Sequence, residues 1–160
     1  MSVKKGQVII RNGSFPSFFF FVRSGIFKTS TQVKGKEFVL GFTFEGDVDG
    51  CPVSLLFRQP NNFSIESVTD GTILICELSD FQEHCKADQY HSLVQTVLIH
   101  YLHILEKRVI DAISLTAEQR YKLLLEQQPD QVKQIPLTHI AAYLGISLES
   151  LSRIRKKKKV

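Results

Sequence analysis

The apolar positions of the chain follow two different periods. Up to residue 78 they fall in short, partly alternating runs at 7–11, 18–22, 25–31, 37–43, 62–67 and 73–78, which predict six β-strands. Turn sequences separate them: Arg11-Asn12-Gly13, Arg23-Ser24-Gly25, Lys34-Gly35-Lys36, Glu45-Gly46-Asp47 and Asp70-Gly71. Lys34-Gly35 suits a tight hairpin, because glycine takes a positive φ at no steric cost. Short strands with glycine at the corners predict an antiparallel β-sandwich or roll. The phenylalanines at 18–21 alternate in facing, so every second ring is expected to fill that roll.

After Ser79 the period becomes helical. A short helix is expected at 81–85 and a long one at 88–114, where neither Gly nor Pro interrupts. About 26 residues at 1.5 Å each make a rod of roughly 39 Å, long for a chain of this size. It carries two adjacent apolar stripes: Val94, Val97, Tyr101 and Ile104, then Leu98, Leu102, Leu105 and Val109. One stripe on the roll and one on a partner helix is the economical reading, with Val94, Val97, Tyr101 and Ile104 as the dimer contacts. A single wide core face is the alternative. Thr116 opens a further helix to about residue 128, with Gln119 completing a capping box, and 129–136 reads as a polar connector.

The last segment carries the candidate chemistry. Thr138 is expected to cap a helix of about seven residues that turns Ile140, Ala141 and Leu144 inward. Gly145 stands where the chain must reverse, a place for a left-handed backbone. Ser147 caps a second helix with Ser150 at its third position, and Leu148, Leu151 and Ile154 are spaced to pack back onto the first. Small Ala141 lets the two approach, and the whole has the signature of a helix-turn-helix. Outward stand Glu149, Ser150, Ser152, Arg153, Lys156 and Lys157, hydrogen-bonding tips first and cations after. A major groove asks for that order: Arg grips guanine O6 and N7, Glu accepts from cytosine N4, and Lys meets phosphate. A helical hairpin with a merely solvated face is the bland alternative.

Charge sharpens this picture. Residues 153–160 hold six of the 20 basic side chains and no acidic one, while the rest of the chain has 14 basic against 16 acidic. The net charge of +4 is thus a property of one end, which reads either as a solvated tail or as a phosphate-facing segment. No apolar run approaches the roughly 18 residues that would cross a bilayer, and the first residues lack a secretory pattern. Cys51, Cys76 and Cys85 form no C-x-x-C pair, which fits a reducing, cytoplasmic compartment. Cys76 reads as a core residue, and Cys51 is the one thiol worth a redox test. His100 and His103 sit one turn apart without a third ligand and read as surface or interface residues, so no metal is expected. No Ser/His/Asp set, carboxylate pair or Gly-rich phosphate loop points to catalysis.

The chain resembles the Crp/Fnr superfamily of bacterial transcription regulators. Lys5-Gly6, Phe21-Val22-Arg23-Ser24-Gly25 and Phe44-Glu45-Gly46-Asp47 match the corners of its cyclic-nucleotide-binding-like roll, and residues 140–154 match its helix-turn-helix. The resemblance implies an α+β fold divided into a roll (1–87), a long dimerisation helix (88–114) and a DNA-binding domain (115–160). It implies a homodimer on double-stranded DNA, with half-sites roughly 34 Å apart and RNA polymerase as a further partner. Thr138, Ser147, Glu149, Ser150, Arg153, Lys156 and Lys157 are the DNA contacts it assigns.

The departures are specific. Nucleotide-binding members use Gly-Glu for the ribose and Arg-Ser for the cyclic phosphate; here Cys51 follows Gly50, and Asn61-Asn62-Phe63-Ser64 offers no Arg. Gly50, Cys51, Asn61, Asn62 and Ser64 therefore mark the ligand positions; cyclic AMP is not expected there, and the roll takes either another, unknown small-molecule effector or none. Three scattered cysteines cannot supply an iron–sulfur cluster. Leu148 stands where the family often has Arg, which removes one base contact. The expectation is a sequence-specific regulator rather than an enzyme, working by a population shift between roll and DNA-binding domain. A sensor or scaffold module that no longer reads DNA is the alternative.

Overall fold

The computed structural model describes residues 1–157, with the side chains of Phe81, Leu93, His100 and Lys157 left aside. The first half forms β1 (Ser2–Val3), β2 (Val8–Ile10), β3 (Phe18–Ser24), β4 (Phe27–Val33), β5 (Lys36–Thr43), β6 (Val48–Gly50), α1 (Pro52–Phe57), β7 (Ser64–Ser67) and β8 (Gly71–Glu77). The strands make two antiparallel sheets, ordered β1-β8-β3-β6 and β2-β7-β4-β5. All six expected strands are present with shifted ends. The one expected at 25–31 begins at Phe27, since Gly25, at φ 98°, belongs to the turn. Lys34 and Gly35 both take positive φ, 52° and 77°, and Val33 pairs with Lys36 across the tight hairpin.

Between the sheets Phe20 packs on Phe27, ring centroids 5.6 Å apart, among Val3, Ile10, Val22, Ile65 and Ile73. The alternation of the phenylalanine run is as expected: Phe20 is fully buried, while Phe19 and Phe21 are half-buried on the other face of β3. Cys76 corrects an expectation. It pairs with Phe19 across β3 and β8, one residue out of step with buried Ile73, so it lies half-buried on the outer face and not in the core.

The second half is helical: α2 (Leu78–His84), α3 (Ala87–Ser114), α4 (Ala117–Gln127), α5 (Pro129–Val132), α6 (Leu137–Leu144) and α7 (Leu148–Lys157). The expected polar connector holds α5, because Pro129 suits a helical first turn, and it is tied down by buried Val132 and Ile135. At α4 the capping box is present: Thr116 Oγ1 accepts from Gln119 N at 3.2 Å, and Gln119 Oε1 accepts from Thr116 N at 2.9 Å. Thr116→Ala should therefore lower unfolding free energy by about 1 kcal/mol in a denaturant titration.

A second core joins the halves. Ile26, Phe44 and Val68 of the roll pack in one cluster with Tyr121, Leu124, Val132, Ile135, Ile140, Ala141, Leu144 and Leu151. α6 lies along β5, where Phe42 meets Tyr143 at 5.5 Å between ring centroids. On the same sheet face Lys28, 3% exposed, pairs with Glu37 at 2.6 Å and Glu66 at 3.8 Å. His139 of α6 reaches this group, its Nδ1 3.8 Å from Glu37. Burial, then Lys28, holds the His139 imidazole below its usual pKa of 6.5, against the pull of Glu37 and Glu66. The unfolded chain thus binds more protons there just below pH 6.5, so stability present above that value declines on acidification. Melting temperatures between about pH 7.5 and 5.5 should fall less steeply for His139→Gln than for the parent.

Candidate nucleic-acid interface

The helix-turn-helix is built from local backbone rules. α6 begins at Leu137 behind Pro136, so Thr138 is not its cap; the proline already fixes the entry, and Thr138 stands exposed in the first turn. α6 ends on Gly145 in the left-handed region, φ 72° and ψ 23°, and Ile146 N donates back to Ala141 O. Ser147 then caps α7: its Oγ accepts from Ser150 N at 3.2 Å.

α7 buries Leu151 completely and Ile154 partly against α6. Leu148, expected to pack back with them, is 41% exposed. A three-residue step turns the side chain about 60° backward around a helix, so Leu148 and Ile154 lie on opposite flanks of Leu151. Glu149, Arg153 and Lys156 are exposed, while Ser150 and Ser152 are half-buried. Lys157 ends α7, and its side chain lies outside the described residues.

The exposed face is braced internally. Arg153 Nη2 donates to Ser150 Oγ at 3.1 Å, and the Ser150 and Ser147 hydroxyls are 3.2 Å apart. The Glu149 carboxyl is held below its usual range by its own backbone N–H, then by the Ser147 hydroxyl and the Arg153 charge. Two short serines therefore orient the two side chains that the sequence pattern marks as base readers. Arg155, exposed on the same helix, is not among the expected contacts, though its place between Arg153 and Lys156 in the basic run is its signal.

On α3 the structure separates the two stripes differently from expectation. Tyr101 is half-buried and turned to the roll, where burial first, then Asp49 and Cys51, raises its phenol pKa. The freest apolar side chains are Ile99, Leu102, Val109 and Ile113, at 69%, 66%, 57% and 82% exposure, ahead of Val97 and Ile104 at 43% and 39%. Val94 is half-buried. The stripe assigned to a partner thus includes a residue that faces the roll; in the second stripe Leu102 and Val109 lie freer, while Leu98 and Leu105 are no more exposed than Val97 and Ile104.

The expected ligand positions are not gathered into an anion site. Gly50, Cys51 and Asn61 are buried, Ser64 is half-buried with its Oγ taken by Asn12 N, and Asn62 is exposed. Asn61 Nδ2 donates to Phe63 O at 2.7 Å, whereas Asn61 Oδ1 and Ser54 Oγ are buried without a partner. Cys51, at 2% exposure, is closed to the oxidants that a redox role requires. Among the described residues no group of three or more His, Cys, Asp or Glu could hold a metal, and no helix is long and apolar enough to cross a membrane. His103 is exposed, and the His100 side chain lies outside the described residues.

Residues 1–88 match the family described as Cyclic nucleotide-binding domain. The chain belongs to that family. A search of curated protein sequences finds no match. Solved structures share the fold of the whole chain. FixK2 from Bradyrhizobium japonicum superimposes with a TM-score of 0.81 at 18% identity, covering 98% of this chain and 82% of its own. TTHB099, a CRP-family transcriptional regulator from Thermus thermophilus, gives 0.75 at 16% identity, covering 99% and 84%. CLP of Xanthomonas campestris, a global regulator responsive to c-di-GMP, gives 0.68 at 15% identity, covering 99% and 85%. The fold is that of Crp/Fnr regulators: roll, long helix and helix-turn-helix.

A member of the cyclic nucleotide-binding domain family invites a test for its anionic ligand, and these residues do not fit one. The stretch Asn61–Ser64 offers no cation. Asn61 turns an unpartnered acceptor to the interior, and the carboxylate of Asp49 stands beside Gly50, accepting its N–H at 2.8 Å. A phosphate placed there would meet acceptors and no cation, where a strong site needs donors and an opposite charge.

Proposed function

We propose that the chain is a sequence-specific DNA-binding transcription regulator, acting in the cytoplasm as a homodimer on double-stranded DNA. The observation that carries this is α7: a capped helix on a buried hairpin, presenting exposed Glu149, Arg153 and Lys156 with Arg153 braced by Ser150. In this reading residues 1–87 are a regulatory roll, 88–114 the pairing helix and 115–160 the DNA-binding domain. Glu149 and Arg153 read base edges, while Thr138, Ser147, Ser150, Lys156 and Lys157 meet or orient toward the backbone. Pairing uses the freer side of α3, Leu98, Leu102, Leu105 and Val109 together with Ile99 and Ile113, and RNA polymerase is a further partner. Any effector is a molecule other than a cyclic nucleotide.

Selection of bound duplexes from random DNA by the purified chain tests it. The expected result is a palindromic consensus with half-sites roughly 34 Å apart. Recovery of unenriched random sequence would overturn the reading. Within the consensus, Arg153→Ala should relax preference at one base pair per half-site and cost about 1–3 kcal/mol there.

A further inference from the structure

A cavity of about 200 Å³ opens where β5, α3, α4 and α6 meet, lined by Leu40, Arg108, Asp111, Arg120, Leu123 and Tyr143 among others. It lies apart from Gly50, Cys51 and Asn61–Ser64, none of which lines it. Two arginines share this one space. Arg108 reaches it across β5: a Cβ built on Gly41 would collide with three atoms of the Arg108 guanidinium, so glycine there leaves room for the cation. Arg120 is held by its Nη2, which donates to Leu144 O at 2.8 Å at the end of α6. Its Nε is cut off from water and has no acceptor. Both arginines are half-buried, and among the described residues neither makes an ion pair. Asp111, one turn from Arg108 on α3, makes none either. Two partly desolvated guanidinium groups without a counter-charge are an incomplete arrangement, and an anion completes it. Asp111 offsets one of the two cations, so the balance favours a single negative charge over the two of phosphate. The planar forks suit a carboxylate, and Leu40 and Leu123 offer an apolar wall. The volume falls below the roughly 300–1,000 Å³ of drug-sized sites, so the occupant is small.

We propose that this cavity binds a small monocarboxylate with an apolar body, the carboxylate between Arg108 and Arg120 and the body against Leu40 and Leu123, and that this molecule is the effector. The walls come from the roll, the long helix and the helix-turn-helix with the α4 that precedes it, so a ligand in contact with all of them binds one arrangement of these parts better than another. Carboxylate binding stands by itself, whereas the effector role rests on α7 reading DNA.

An NMR titration of the full chain without DNA tests the site, with benzoate, its neutral analogue benzamide and inorganic phosphate as probes. Benzoate should saturate at millimolar concentration or below, with benzamide and phosphate each weaker by about tenfold. Arg108→Gln should weaken benzoate by about tenfold. Gly41→Ala should do the same, because its methyl displaces the guanidinium while keeping the charge. Asp111→Asn should tighten benzoate by about threefold, a gain that a merely structural residue does not give. Should Arg108→Gln melt early, Gly41→Ala and Asp111→Asn decide. No saturation by about 50 mM benzoate, equal binding of benzamide, or parental affinity in both Arg108→Gln and Gly41→Ala would each overturn the site. On a duplex selected from random DNA, saturating benzoate should shift the affinity of the parent by about threefold or more and leave Arg108→Gln unmoved. Benzoate that binds without that shift would overturn the effector role. If no duplex is selected, the DNA-binding reading and the effector role fall together, and the benzoate titration still decides the site.

Discussion

Leu151→Ala should destabilise the chain by about 2–5 kcal/mol and abolish specific DNA binding at physiological temperature. Leu151 is fully buried in α7, and its neighbours in the cluster, Ile140, Ala141 and Leu144, belong to α6. Truncation leaves a cavity that neither helix can close without shifting, since Ala141 already sets their approach. The same cluster includes Ile26, Phe44 and Val68 from the roll, so the loss should not stay local. Calorimetry should show one transition moved to lower temperature. A separate early transition, with the roll melting as in the parent, would mean that the two halves do not share a core. Leu148→Ala is the control, because Leu148 is 41% exposed and its truncation should stay within about 0.5 kcal/mol.

The parts of this molecule legible in its sequence are those set by local rules. The Lys34-Gly35 hairpin, the Thr116/Gln119 capping box and the left-handed Gly145 each depend on neighbours within four residues, and each is where the pattern puts it. The helix-turn-helix follows from two of the same kinds of rule. Strands β1 and β6 are two and three residues long, too short to show alternation; only pairing with β8 and β3 makes them strands. Thr138 fails as a cap because a capping residue competes with a proline two positions earlier, and the proline prevails. Tyr101 turns to the roll, a direction that an apolar stripe does not record. Its neighbour Asp49 is distant in sequence, and a carboxylate on a three-residue strand carries no inward mark of its own. The docking of α6 on β5, with Lys28, Glu37, Glu66 and His139 drawn together, is likewise a tertiary fact.

Raising monovalent salt from about 50 to 200 mM should weaken binding to the preferred duplex by about a thousandfold. Arg155 and Lys156 are exposed along one helix, the basic run of the sequence continues at Lys157, and a symmetric pair presents each of the three twice. About six phosphates neutralised in this way give a slope of log affinity on log salt near −5, by release of condensed counterions. Lys156→Ala should flatten that slope by about 2, one contact per protomer, and weaken all sequences alike. Arg153→Ala should act differently, losing preference at its base pair with a smaller change of slope, because its guanidinium is aimed by Ser150 at base edges. The slope also counts protomers. Leu102→Glu, which places a charge on the freest side of α3, should roughly halve it if pairing runs through that helix, since a lone protomer offers about three contacts. An unchanged slope in Leu102→Glu would move the pairing surface elsewhere, and a slope near about −1 in the parent would remove α7 from the phosphate backbone altogether.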